Sequence, residues 1–424
     1  MNRISLLLAC IFLCFSCSKD DGPDPVVDPG DNNSGNNNNN NNNIVDTNFQ
    51  ACDNGMAGIY PCNGFDLLAR IPLSEFGSQS ANDIWGWTDP MTFKEYALVG
   101  LNDGTAFVDI SDTENLIYLG KLSTATSSSA WRDIKVYNDH AFVVAEAGGH
   151  GMQVFDLTQL RDVVNPPVSF AADANFSGFG NAHNIVINED SGYAYGVGTS
   201  RNDAYSGGAH FINVQDPLNP TADGGLGING YSHDATVITY NGPDSEHIGK
   251  EIYVGANEDV VVVVDVTDKS NPSNLSVISY SQEAYTHQAW FTEDHKYLIV
   301  GDELDEINFL FNSRTLIFDM TDMDNPVLHT TYLGPTSAID HNGYVKGNAF
   351  FLSNYTAGMR VLDISGIDSQ TISETGYFDT FPSNNVADYS GVWSVYPYFS
   401  SGKILVNDIN SGLFIVQSSG PGSP

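Results

Sequence analysis

Residues 251–267 read EIYVGANEDVVVVVDVT. Two apolar runs rich in β-branched residues flank a short polar turn, and the second run ends in Asp followed by Val-Thr. Runs this short, bounded by Gly, Asn and Asp, are strands of a hairpin rather than turns of a helix. The ending recurs along the chain as TAFVDIS (105–111), MQVFDLT (152–158), AHFINVQ (209–215), VVVVDVT (261–267), TLIFDMT (315–321), MRVLDIS (359–365) and GLFIVQ (412–417). Upstream of each ending stands an aromatic residue or a histidine: Trp85, Trp131, His183, His233, His287, His341 and Trp393, at intervals of 46 to 54 residues. A period near fifty built from short strands and tight turns marks a radial array of sheets.

Each unit reads strand, turn, strand, loop, strand ending in Asp, turn, strand. Repeat two gives WRDIKVY, AFVVAEA, MQVFDLT and, after a Pro-Pro turn, VSFAA as its expected fourth strand. Four strands per fifty residues is the blade of a β-propeller, and no stretch sustains the 3.6-residue period of a helical solenoid. The last unit stops after its third strand, GLFIVQ, while FDLLARIPL (65–73) precedes the first full unit and resembles a fourth strand. The expectation is an all-β fold: a seven-bladed β-propeller of four-stranded blades spanning 65–418, its ring closed by the N-terminal strand. Closure removes the open edges that invite aggregation. The five landmark aspartates Asp109, Asp156, Asp265, Asp319 and Asp363 are expected to close the turn after strand three.

The segments outside the array carry an address. Asn2-Arg3, the apolar stretch Ile4 to Phe15 and Ser16-Cys17 fit a secretory signal over 1–17, too short to span a bilayer. CSKDD (17–21) resembles the start of a mature lipoprotein of the Bacteroidetes type, with lipid on Cys17. Cys10 is a rival acceptor, and a plain cleaved signal is the other reading. The expected place is the outer membrane, exposed at the cell surface, with lipid as the membrane contact. Residues 18–48, including the run Asn36 to Asn43, hold nothing that could form a core and read as a tether. Cys52 and Cys62 remain for the exported domain, and two cysteines in an exported chain predict a disulfide-closed loop over 49–64. Residues 419–424 are a tail.

The Asp-ended triplets FVDIS, VFDLT, VVVDVT, IFDMTD and VLDIS look like LVIVD repeats. With the opening ACDNGMAGIYPCNGFDLL and the segments SAWRDIKV and AHNIVIN, the chain resembles the choice-of-anchor B family over residues 50–418. The resemblance implies a secreted, surface-attached seven-bladed propeller and no settled activity.

In a propeller the first strand of each blade lines the central channel. The landmarks should therefore ring one mouth: Trp85, Trp131, His183, His233, His287, His341 and Trp393, with Arg132, Asp133 and Asp234 beside them. Loops between second and third strands would add Glu146, Asn257, Asp302, Glu303, Asn354 and Asp408. Imidazoles with carboxylates at hand suit a divalent transition metal, with His183, His233, His287, His341, Asp302 and Glu303 as its candidate ligands. The competing reading makes the same histidines hydrogen-bonding struts at the strand ends. Acid–base work without a metal is a third. Arg132 is expected to pair with Asp133 or Glu146, or else to clamp an anionic ligand. Ser232-His233-Asp234 is no hydrolytic triad, because adjacent strand residues point to opposite faces. His210, His247, His295 and His329 fall off the landmark and read as surface or packing residues.

Against 16 Lys and Arg stand 52 Asp and Glu, a formal net charge of −36. Such a field repels phosphate backbones and anionic lipid, which excludes nucleic acid as a partner. Two function classes remain for a monomeric propeller. One is an extracellular binding module for a protein, peptide or glycan; the other is a metal-dependent enzyme with its site in the channel.

Overall fold

The period of the sequence is the period of the sheets. The computed structural model describes residues 49–420, and these form seven sheets, each built on four antiparallel strands, arranged as blades. The signal, Cys17, the tether and the last four residues of the expected tail lie outside the described residues. In blade four, for example, Asp234–Thr239, Glu251–Ala256, Val261–Asp265 and Ser273–Ile278 follow one another across the sheet, innermost first.

Seven apolar cores lie between successive blades. One joins Leu98 and Phe107 of blade one to Val143 and Phe155 of blade two; another joins Phe414 and Val416 of blade seven to Phe351 and Phe378 of blade six. Each sheet is thus covered on both faces. That is why its middle strands are continuous apolar runs, such as VVVV at 261–264, instead of alternating apolar and polar residues. The blade-seven to blade-one core includes Ala69 and Ile71 from the closing strand, Phe65–Ile71, which pairs antiparallel with Gly412–Ser418. The ring is closed as expected.

The landmark aspartates also do what the turns require. Asp109, Asp156, Asp265, Asp319 and Asp363 each accept a hydrogen bond from the backbone N–H two residues on, at 2.8–3.0 Å.

Two features differ from the expectation or add to it. VSFAA is not the fourth strand of blade two. Val168–Phe170 crosses over and adds in parallel to the outer strand of blade one, and Ala174–Phe176 fills the fourth place in blade two. The crossing is possible because Gly120, at φ 146°, has no side chain; a Cβ there would lie 2.0 Å from the Val168 carbonyl oxygen. The opening loop, in turn, is a small hairpin, Met56–Ala57 with Tyr60–Asn63, that extends blade six by pairing Cys62 with Phe378. Cys52 and Cys62 are joined in a disulfide with Cα atoms 5.9 Å apart.

Candidate functional site

Hydrogen bonds between neighbouring blades fix the register at the mouth where the first strands begin. The Asp83 carboxylate accepts from Ile134 N, Asp133 from Ile185 N, and Gln288 from Gly343 N, each at 2.6–3.1 Å. Gln288 also donates to Asp234 at 3.1 Å, and Asn342 donates to Ser394 at 3.5 Å. Residues one position earlier are then equivalent: Asn82, Arg132, His183, His233, His287, His341 and Trp393. Five of the seven landmarks are in place. Trp85 and Trp131 are not: the equivalent residues are Asn82 and Arg132, because the first two blades enter the sheet with different spacing from the aromatic residue. Trp131 still walls this mouth beside Arg132, whereas Trp85 lies at the other end of the channel.

The four imidazoles form an arc, with ring centroids 4.1, 4.3 and 4.2 Å apart, ended by Trp393 at 4.8 Å from His341. Protonation is favoured at one end of the arc and opposed along the rest. Burial opposes protonation of His183, but a 2.6 Å hydrogen bond to Glu146 and the charge of that carboxylate outweigh it and raise its pKa. Burial first, and then the neighbouring imidazoles, hold His233 and His287 well below their ordinary value; burial pulls His341 down to about 3. The space the ring leaves between its walls is ≈ 10 Å³, enough for about one water or one ion.

Of the proposed ligands, the structure brings three together. His287 and His341 each place Nε2 3.8 Å from an oxygen of Glu303, and the three ligand atoms lie within 4.8 Å of one another. His341 must donate its Nδ1 hydrogen to the Trp393 carbonyl at 2.6 Å, so its Nε2 carries a lone pair toward Glu303. The carboxylate is held by Tyr355 Oη at 2.8 Å, and burial raises its pKa to about 7. The His341 Nε2 lone pair and the carboxylate are both acceptors and call for a positive centre between them, a proton or a metal ion. His287, whose buried Nδ1 has no hydrogen-bond partner, is instead free to carry its hydrogen on Nε2 toward Glu303.

Asp302 is not in this group. Its carboxylate is spent on Tyr280 Oη and the backbone N–H groups of Ala284 and Tyr285, all within 2.9 Å, which is what turns the loop. His183 is engaged by Glu146, and His233 Nδ1 faces the His287 carbonyl at 3.3 Å. Arg132 pairs with neither Asp133 nor Glu146. Its guanidinium donates to the Leu101 carbonyl at 3.0 Å and meets His150 Nε2 at 3.2 Å, both contacts on its own side of the ring. Asp133 pairs with Lys135 instead, at 2.8 Å. Ser232 Oγ donates to Asn257 at 2.7 Å rather than to His233, in keeping with the absence of a triad there. A second cluster, Asp244, His247 and Asp324, is of another kind: Lys250 Nζ donates to His247 Nδ1 at 3.1 Å, which leaves the other ring nitrogen protonated.

At the opposite mouth, where the first strands end, the channel opens into a recess of ≈ 420 Å³. Its floor comes from residues three positions beyond the register: Trp85, Lys135, Val186, Thr236 and Trp290, with Tyr396 from blade seven. Tyr344, at the same position in blade six, is buried behind the rings. Trp85 meets Tyr344 at 6.0 Å and Tyr396 at 5.2 Å; Trp290 meets Tyr344 at 5.0 Å; Tyr398 meets Tyr396 at 5.4 Å, mostly edge to face. Lys135 Nζ lies 4.5 Å from the centre of the Trp85 ring. Glu189, Glu293 and His295 stand at the rim, His295 as one of the surface residues expected off the landmark. In the sequence this recess is signalled only in the last three blades, where Trp290, Tyr344 and Tyr396 each stand three residues beyond the landmarks His287, His341 and Trp393.

No protein-family model matches the chain, and no curated protein matches it. Among solved structures it is similar to Kuenenia stuttgartiensis hydrazine synthase, with 13% identity and a TM-score of 0.53 over 76% of this chain and 92% of that one. It is also similar to the C-terminal WD40 domain of Sif2, with 11% identity and a TM-score of 0.51 over 81% of this chain and 97% of that one. At these identities the likeness is one of fold: a seven-bladed β-propeller.

Proposed function

We propose that this protein is a lipid-anchored binding module of the cell surface, related to the choice-of-anchor B proteins its repeats resemble, and that its ligand enters the aromatic recess. The observation that carries the reading is the contrast between the two mouths. The histidine mouth has room for about one ion, ≈ 10 Å³, whereas the aromatic mouth offers ≈ 420 Å³, within the range of small-ligand sites. The recess is walled largely by rings and aliphatic side chains, with Lys135 in its floor and Glu189, Glu293 and His295 at its rim, a lining suited to binding. A peptide or glycan end is of suitable size. The test is a screen of peptides and glycans against immobilised protein, with Tyr398→Ala and His341→Asn alongside wild type. Binding should vanish in the first variant and persist in the second. The reverse pattern would move the function to the histidine mouth.

A second reading has its own observation: His287, Glu303 and His341 converge as a three-donor set for a divalent transition metal. Such an ion would draw the Glu303 carboxylate and both Nε2 lone pairs together, and it would make the mouth a site for metal-assisted chemistry. Elemental analysis of protein purified without chelator should give near-stoichiometric metal, lost in Glu303→Gln and His287→Ala and kept in His183→Ala. Metal that follows His183 instead, or none at all, rules this set out.

A further inference from the structure

We infer that the aromatic recess is a site for a small organic ammonium ion. The inference rests on the recess being the binding site and adds the chemistry of what it binds. Three observations carry it: the nature of the walls, the charge at the rim, and the state of the one cation already inside.

The walls are π faces and aliphatic carbon. Trp290, Tyr396 and Tyr398 supply the rings open to a ligand, Trp85 being covered by the Lys135 ammonium, and the opposite side is Val186, Ile187, Val237 and Ile238. Two of the polar side chains that a polyhydroxyl ligand would need are already engaged. Thr292 Oγ1 is committed to Asp294 at 2.6 Å, and His295 Nδ1 accepts from Asn241 N at 3.0 Å. A sugar buried here would lose its water contacts with little in return. A quaternary ammonium head has no N–H groups to satisfy, and the ring quadrupoles attract it directly.

Charge selects the sign. Glu189 and Glu293 are exposed at the rim, and the chain as a whole carries −36. Glu293 uses Oε1 for Gly347 N at 2.7 Å, which fixes the side chain at the mouth. A recess with apolar walls and acidic lips concentrates cations from solution.

Lys135 shows the principle at work inside the recess and also excludes an anion. Its ammonium lies over Trp85 and donates to Asp133, to Asp83 at 3.5 Å and to the Ile134 carbonyl at 3.1 Å. All its hydrogens are used within the protein, so an anionic ligand would find no donor there.

The test uses choline, its neutral carbon isostere 3,3-dimethylbutan-1-ol and methyl glucoside as probes, read by tryptophan fluorescence and calorimetry. Choline should bind saturably and about tenfold more tightly than the isostere. Its affinity should fall at least threefold in Glu293→Gln, which keeps the contact to Gly347, and further in Trp290→Phe/Tyr398→Ala. It should weaken with added salt and be unchanged in His341→Asn. Equal binding of choline and isostere, or preference for the glucoside, overturns the inference while leaving the recess as the site. If none of the three probes perturbs the protein, the inference fails, and the peptide and glycan screen then decides whether the recess binds anything.

Discussion

The carbonyl of Trp393 accepts the Nδ1 hydrogen of His341 at 2.6 Å, and this one bond sets the tautomer at the end of the histidine arc. Burial holds the same imidazole down to about 3, far below its ordinary 6.5. Between those values the unfolded chain binds a proton that the native state refuses, so acid must destabilise the fold. Glu303, raised by burial to about 7, acts with the opposite sign between its ordinary 4.5 and 7, but it is present in both proteins compared. In chelated protein, His341→Asn should therefore lose less stability than wild type on going from pH 7 to pH 4, by up to about 3 kcal/mol. Urea unfolding at the two pH values measures it; equal losses would show that His341 is readily protonated in place.

Lys135 is the buried cation of the other mouth, with 8% of its side chain exposed against 5% for Asp133. Burial works against its charge, yet Asp133 and Asp83 hold its pKa above the ordinary value. Lys135→Met leaves carboxyls in an apolar setting without their partner, a change that costs about 3–5 kcal/mol where they remain charged. The deficit should be largest at pH 8 and shrink toward pH 5, as the abandoned carboxyls take up protons. Adding Asp133→Asn should recover part of it. A pH-independent deficit would mean lost packing alone.

The disulfide ties the opening hairpin to itself, and the hairpin ties to blade six through Cys62 and Asn63. Closing a loop of this length contributes about 2–3 kcal/mol. Cys52→Ala/Cys62→Ala should lower the unfolding free energy by that amount while circular dichroism and probe binding at the recess stay unchanged. The hairpin lies on the outer edge of blade six, away from both mouths.

What the sequence made legible follows from how strongly each feature is written into the chain. The Asp-ended strands and their period gave the ring, and strand 65–71 gave its closure, because a buried sheet needs a recognisable apolar run. Register at the channel was harder. A one-residue shift separates Trp131 from Arg132, and only the inter-blade bonds to Ile134 and Ile185 settle which residue is equivalent to His183. The fourth strand of blade two is hard to place for a similar reason, since Val168–Phe170 and Ala174–Phe176 are equally short and Gly120 alone makes room for the parallel crossing. Among the site residues, types and faces were visible but partners were not. Asp302 and Glu303 are adjacent in sequence, and the loop turns one into the backbone and the other toward His287 and His341.

The last prediction concerns closure itself. Phe65–Ile71 supplies the fourth strand of blade seven, and Ala69 and Ile71 are fully buried in the core that joins blade seven to blade one. Removing it would bare the edge of Gly412–Ser418, whose N–H and C=O groups could then pair with another molecule, and would open that core to water. A chain beginning at residue 64 lacks the hairpin but keeps the closing strand; one beginning at 73 lacks both. The hairpin itself packs Tyr60 against Phe378 and Phe414, at 5.8 and 5.2 Å, so its loss should lower the melting temperature. Size-exclusion chromatography should nonetheless find the first chain monomeric. The second should elute as oligomers or aggregate, and a peptide of residues 64–73 added during refolding should restore the monomer. If the second chain stays monomeric with the melting temperature of the first, strand pairing at the seam is not what holds the ring together.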